Sequence, residues 1–103
     1  MKDAIPAFAE AEALLRKYGF NAQADAVNKA RGAVQADAAA GYLQIATAEW
    51  WGSANSIADL YLHKEGETFS VGQERDNRAL RAALTTIHEA MRAAGVEVEW
   101  RKQ

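Results

Sequence analysis

Cysteine is absent from this 103-residue chain, and proline occurs only once. Without thiols the chain can form neither disulfides nor thiolate metal sites, so we expect a protein of the reducing cytoplasm. Long apolar runs are missing as well. The N-terminal stretch MKDAIPAFAEAEALL has charges scattered through it, which predicts neither a signal peptide nor a membrane span.

A strong excess of either charge is also missing, since the formal net charge is −2. Net charge therefore gives no reason to expect a nucleic-acid or membrane partner. Four arginines cluster near the last predicted helix, but acidic residues such as Glu74 dilute them. We interpret the cluster as a solvated helix face rather than an RNA site; its members are Arg75, Arg78, Arg81 and Arg92.

Recognisable catalytic motifs are lacking too. Gly52-Ser53 does not continue into G-x-S-x-G, and the glycines are too scattered for a phosphate-binding loop. His63 and His88 lie far apart in sequence with no metal-ligand spacing between them. The sequence therefore predicts a protein that is not an enzyme and that has no catalytic residues, no metal and no cofactor.

Alanine is what the sequence does have in abundance, with 24 residues of this one type. The length predicts a single domain over residues 1–103 with one modest core. Because each alanine buries little area, the larger apolar residues must supply most of the burial.

Capping residues divide the first half of the chain into helices. Asp3 is a candidate N-cap for a first helix that ends at Gly19, and Asn21 is a candidate start for a second. We expect a break near residues 35–37, where Asp37 can cap a third helix that continues to Glu49.

The last helix has the clearest pattern, an apolar stripe at intervals of four and three residues that ends before Gly95. The stripe consists of Leu80, Leu84, Ile87, Met91 and Ala94. Beyond it, Val96, Val98 and Trp100 alternate with charged residues, which predicts a short strand with one face buried.

A strand needs a partner, and Ile57–His63 is the best candidate, with a possible continuation over Glu67–Val71. A helical interpretation competes, because Ser56 and Asp59 match a capping box. We prefer the strand because the segment is short and bounded by glycines. The predicted fold class is therefore α+β, a predominantly helical domain of three to four helices with a small two- to three-stranded sheet.

The adjacent tryptophans Trp50 and Trp51 diverge by about 100° on a helix, so both cannot point squarely into one core. We expect one to anchor the core and the other to lie at its rim, where it either completes the core or forms part of a binding surface. Asp59 lies within an apolar run, which favours a paired carboxylate or one at an interface.

The segment WWGSANSIADLYL, followed after a polar gap by NRALRAALTTIHEAMRAAGV, resembles a group of small uncharacterised bacterial domains. Their pattern is an aromatic-glycine run, a small-residue turn, Ser-Ile-x-Asp-Leu and a long final helix. Members are often small cytoplasmic partners, including immunity-type proteins that accompany polymorphic toxins. The resemblance implies a binding role and supplies no catalytic residues.

The leading hypothesis is therefore a cytoplasmic immunity- or antitoxin-type protein that neutralises a toxin by occlusion. Small size, mild acidity and the resemblance favour it. The predicted partner contacts are Trp51, Asp59, Tyr61, Glu65 and Glu67. The alternative is a structural or regulatory module that forms a homodimer through the alanine-rich second helix.

Overall fold

A computed structural model describes residues 4–52, 56–62 and 71–98. Within these ranges the chain forms five α-helices and one short 3-10 turn, and it contains no strand, so the fold is all-α. The helices are α1 (Ile5–Lys17), α2 (Asn21–Ala36), α3 (Ala38–Ile45), α4 (Ala48–Trp51) and α5 (Val71–Ala93), and the 3-10 turn covers Ile57–Asp59.

Helix α1 packs against both α2 and α5, while α3 packs against α2. The stripe predicted on the last helix is confirmed as far as Met91, whereas Ala94 lies beyond the end of α5 and is exposed. One apolar core therefore runs through α1, α2 and α5. Its most fully buried large apolar side chains are Phe8, Leu15, Val27, Leu62, Leu80, Ile87 and Met91.

Two helices end in the same way, as their glycines predict. Gly19 and Gly95 both have φ of 84°, and the residue after each donates its N–H to a carbonyl in the preceding turn. The Phe20 N–H binds the Leu15 carbonyl at 2.9 Å, and the Val96 N–H binds the Met91 carbonyl at 3.1 Å. These are Schellman endings, which turn an apolar residue back onto its own helix.

Helices α2 and α3 meet at a point where only glycine fits. A Cβ on Gly41 would lie 2.5 Å from the Val34 Cα and 2.7 Å from the Ala33 carbonyl carbon, both of them backbone atoms. Asp37 makes this crossing possible, because its Oδ1 accepts the Ala40 N–H at 3.2 Å and begins α3 immediately after α2. The predicted break and cap are confirmed, although α3 ends at Ile45 rather than at Glu49.

The predicted sheet is wrong for the described residues, and the α+β class is wrong with it. Ile57–Asp59 is a single 3-10 turn, and the extended Leu60 to Leu62 segment bonds to a side chain instead of another strand. The Asn77 Oδ1 accepts the Leu62 N–H at 2.7 Å, and its Nδ2 donates to the Leu62 carbonyl at 3.0 Å. One amide side chain therefore satisfies both backbone groups that a neighbouring strand would have satisfied.

The second predicted strand has a different explanation. Val96 is buried and Val98 is partly buried against the core, while Glu97 between them is exposed. The alternation is real, but it arises because the chain folds back onto the core after the Schellman turn, and residues 96–98 form no ladder of hydrogen bonds. Trp100 lies outside the described residues. The continuation over Glu67–Val71 lies outside the described residues except for Val71, which begins α5.

A buried carboxylate joins the ends of α1 and α5. The Asp76 Oδ2 accepts hydrogen bonds from Lys17 Nζ at 2.7 Å and Tyr18 Oη at 2.8 Å. The hydrogen bond from Lys17, followed by that from Tyr18, lowers the pKa of Asp76 below its ordinary value. The two helices are thus joined by polar contacts as well as by their apolar faces.

Replacing Gly41 by alanine is expected to destabilise the protein by about 1–3 kcal/mol, because the added methyl group overlaps backbone rather than a movable side chain. The matched control is Gly32→Ala in α2, where a Cβ meets open space. That variant is expected to gain about 0.5–1 kcal/mol from helix propensity. Urea unfolding checks the pair, and equal midpoints for the two variants would contradict the close approach.

The pH dependence of stability is expected to show the Asp76 contact. Because its pKa is lower in the folded protein than in the unfolded chain, its contribution is complete above about pH 4 and is lost as the pH falls through the folded pKa. In urea unfolding at pH 2.5 to 6, Asp76→Asn should therefore lose less of its free energy of unfolding than the wild type as the pH falls. The pH dependence of stability that remains in this variant comes in part from Glu12, whose pKa is lowered by hydrogen bonds from Asn28 and Arg16.

Candidate functional site

The two tryptophans lie at a corner between α3 and the 3-10 turn. Thr47 is extended, with φ of −131° and ψ of 160°, and it begins the single turn of α4. Trp50 points into the core and is buried, whereas Trp51 is half-buried. Their rings lie 5.7 Å apart at an angle of 44°. The core-and-rim arrangement expected for this pair is what the structure has.

The indole of Trp51 is held in place by the end of α3. Its Nε1–H donates to the Ile45 carbonyl at 2.9 Å, and the same carbonyl accepts the Thr47 N–H at 2.8 Å. Carbonyls in the last turn of a helix lack intrahelical partners, and the indole is the second donor to this one, after the Thr47 N–H. The ring of Trp51 is thereby fixed with one side facing outward from the core.

An open cleft of about 310 Å³ lies beside that ring. Trp51, Ala58 and Leu84 supply its apolar part, and Arg81, Thr85 and His88 supply its polar part. The rings of Trp51 and His88 meet edge to face, with centroids 5.0 Å apart and planes at 77°. This contact places an imidazole between the apolar wall and the solvent.

A second cleft, of about 370 Å³, continues along the same side of α5. His88, Arg92, Glu97 and Val98 line it. His88 lines both clefts, so they lie next to each other along α5, and we call the two together the α5 groove.

The polar side chains of the groove repeat at a regular spacing. Arg81, Thr85, His88 and Arg92 follow one another at intervals of four, three and four residues, so they lie on one helix face. The core stripe Leu80, Leu84, Ile87 and Met91 has the same intervals displaced by one residue. The helix that forms the core thus carries a parallel polar stripe next to it.

Ion pairing separates the groove arginines from the other described arginines. Arg16, Arg31, Arg75 and Arg78 each lie within 4.0 Å of a carboxylate oxygen. Across residues 4–52, 56–62 and 71–98, Arg81 and Arg92 have no such partner. The two arginines that line the groove are therefore the two whose charge the described part of the fold leaves uncompensated.

The structure places the predicted contact residues unevenly. Trp51 lines the groove. Asp59 and Tyr61 are exposed and follow Ala58, a groove residue, but do not themselves line it; Tyr61 is 44% exposed. Because Asp59 is exposed, its carboxylate needs no buried partner. Glu65 and Glu67 lie outside the described residues, as does His63.

Sequence reasoning missed Arg81, Thr85, His88 and Arg92 as one group. The signal was present in the sequence, since each of these polar residues directly follows a residue of the core stripe. Sequence spacing alone indicates that His88 is an isolated residue and that the arginines belong to a solvated helix face. What the sequence could not supply was the position of Trp51 against His88, which depends on how the corner after α3 folds.

In the ranges that the structure describes, no three histidine or acidic side chains lie close enough together to bind a metal ion. Among the described helices, none has both the length and the apolar character required to cross a bilayer.

Neither a protein-family model, nor a curated protein, nor a solved structure matches the chain.

Asn77→Ala is expected to lower the free energy of unfolding by at least about 2 kcal/mol, because it leaves the buried N–H and carbonyl of Leu62 unpaired. Asn77→Asp keeps the acceptor for the N–H but places a carboxylate oxygen against the Leu62 and Gln73 carbonyls, so it should destabilise the protein at neutral pH at least as much as alanine does. Urea midpoints measure the series. An Arg78→Ala control at the exposed neighbouring position should change little, and equal losses for Asn77→Ala and that control would contradict the role of Asn77.

Proposed function

We propose that this protein is a non-catalytic binding domain that recognises another protein, and that it acts as an immunity- or antitoxin-type inhibitor of that partner by occlusion. The single observation that carries the proposal is the fixed, half-buried ring of Trp51 in an open groove beside two arginines that have no ion pair with another described residue.

The types of residue at this surface support protein recognition. Tryptophan, tyrosine and arginine are enriched among the residues that contribute most to protein–protein binding. Trp51, Tyr61, Arg81 and Arg92 supply all three types in partly or fully exposed positions. Since the indole is already held by the Ile45 carbonyl, little side-chain entropy remains to be lost on binding.

The dimensions of the groove point the same way. Each cleft is open and has a volume of about 310 or 370 Å³, near the lower end for sites that enclose a whole small molecule. Such clefts accommodate one or two side chains of a partner, as shallow interface pockets do.

The inhibitory role, the cytoplasmic location and the bacterial setting are the more specific parts of the proposal. They rest on the resemblance of WWGSANSIADLYL to immunity-type domains and on the absence of cysteine. The homodimer through α2 has less support, because the apolar stripe of that helix, including Val27 and Val34, is already buried within one chain.

Co-expression with the product of the adjacent gene tests the proposal. We expect a complex that survives purification, and growth inhibition by the partner alone that this protein relieves. Tyr61→Ala and Asp59→Ala should weaken the complex while circular dichroism and the melting temperature stay unchanged, since both side chains are exposed.

Leu43→Ala is the matched control, because Leu43 is also exposed, at 64%, and lies on α3 without lining either cleft. It should bind like the wild type. Absence of a complex and of any growth effect would overturn the proposed function, and equal weakening by all three variants would overturn the assigned surface.

A further inference from the structure

Arg81 and Arg92 are the basis for an inference about the chemistry of the partner. The protein has a formal net charge of −2, and four of its described arginines are already within ion-pair distance of carboxylates. Within the described ranges, the two arginines that remain lie on one face of α5 and border the two halves of one groove. The groove therefore carries two guanidinium groups without an ion-pair partner among the described residues, in a chain that is mildly acidic overall.

We infer that the α5 groove binds an acidic, extended segment of the partner protein, with a carboxylate at each arginine and an apolar side chain between them against Trp51. This inference rests on the proposed function, namely that the protein works by binding another protein.

The geometry of α5 sets the length of such a segment. Arg81 and Arg92 are eleven residues apart, which corresponds to about 16 Å along a helix. An extended peptide covers that distance with about five residues. Carboxylates near the two ends of such a segment would each meet a guanidinium, which can bind them through two hydrogen bonds.

The middle of the groove can contact both an apolar side chain and polar backbone groups of a bound peptide. Leu84 and Ala58 form the apolar wall with Trp51, and Thr85 supplies an exposed hydroxyl. His88 has a ring edge contact with Trp51 and no hydrogen bond to another described residue, so its ring nitrogens can bond to a peptide backbone. An apolar side chain on the wall and a backbone bond to His88 fit one extended chain.

Glu97 limits what the groove accepts. Its carboxylate lines the second cleft with Arg92, so that end is less positive than the end at Arg81. We therefore expect Arg81 to contribute more than Arg92. A nucleic acid fits less well than a peptide, because two arginines, in a protein whose net charge is negative, would release few counterions on binding.

The test uses the full chain labelled with ¹⁵N and a defined probe. The probe is an acetylated, amidated pentapeptide of glutamate with one central phenylalanine, and its matched control has glutamine in place of every glutamate. We expect the glutamate peptide to shift the Trp51 indole N–H and the backbone amides of Thr85 and His88, and the glutamine peptide to do so at least tenfold more weakly.

Charge variants separate a site from a general charge effect. Arg81→Gln should lower the affinity for the glutamate peptide about five- to tenfold, and Arg92→Gln should lower it by less. Lys29→Gln is the matched control, because it removes the same charge from an exposed position on α2 and should leave affinity nearly unchanged. Equal weakening by Arg81→Gln and Lys29→Gln would overturn the inference, as would peptide-induced shifts confined to residues outside the groove.

Two further probes distinguish other ligands with the same chemistry. Inorganic phosphate that produces the same shifts at similar concentrations would overturn the peptide assignment in favour of a general anion site. A short oligouridine that binds the same residues more tightly than the peptide would overturn it in favour of RNA. Weaker binding by both probes supports the acidic segment.

The natural partner distinguishes failure of this inference from failure of the proposed function. A complex that the double variant Arg81→Gln, Arg92→Gln leaves unchanged would overturn the groove assignment while the binding role stands. A glutamate peptide that binds in the groove without any protein partner from the adjacent gene would overturn the inhibitory role while the groove assignment stands.

Discussion

Close approach of helix backbones is the constraint on which this fold depends. A chain with 24 alanines has few large side chains to fill the space between helices, so the helices must come together until small residues touch. At Gly41 the approach is so close that a single methyl group would overlap the backbone of α2. The buried faces of Ala11, Ala24 and Ala83 follow the same rule in α1, α2 and α5.

Polar side chains join parts of the fold that the small apolar residues do not hold together by packing alone. Asp76 joins the ends of α1 and α5, Asn77 holds the extended chain at Leu62, and the indole of Trp51 satisfies the end of α3. Each of these contacts joins an element to the backbone or to a charged group elsewhere in the fold. The apolar core is therefore surrounded by a small number of directional bonds that fix where its neighbours lie, including the wall of the α5 groove.

Local signals in the sequence predicted the helices well, because caps and chain reversals depend on a few neighbouring residues. Asp37 and the glycines at 19 and 95 mark helix ends that the structure confirms. Helix α2 begins at Asn21 as expected, but Asn21 is not its cap: Phe20 is at the N-cap, and no side chain caps the helix. The sheet was wrong because period-two alternation reports which side chains face the core and not what the backbone bonds to. At Leu62 the partner is the Asn77 amide, fifteen residues away, and no local pattern encodes that choice. The groove depends on a similar long-range contact, between Trp51 and His88.

The pairing of Leu62 with Asn77 also determines how this part of the molecule opens. In a sheet, an amide proton exchanges with solvent when a neighbouring strand separates. Here the Leu62 amide is buried and bonded to a side chain of α5, so its exchange requires either departure of that segment from the helix or unfolding of the helix itself. A single amide in an irregular segment thus becomes an indicator of whether that segment stays bound to α5.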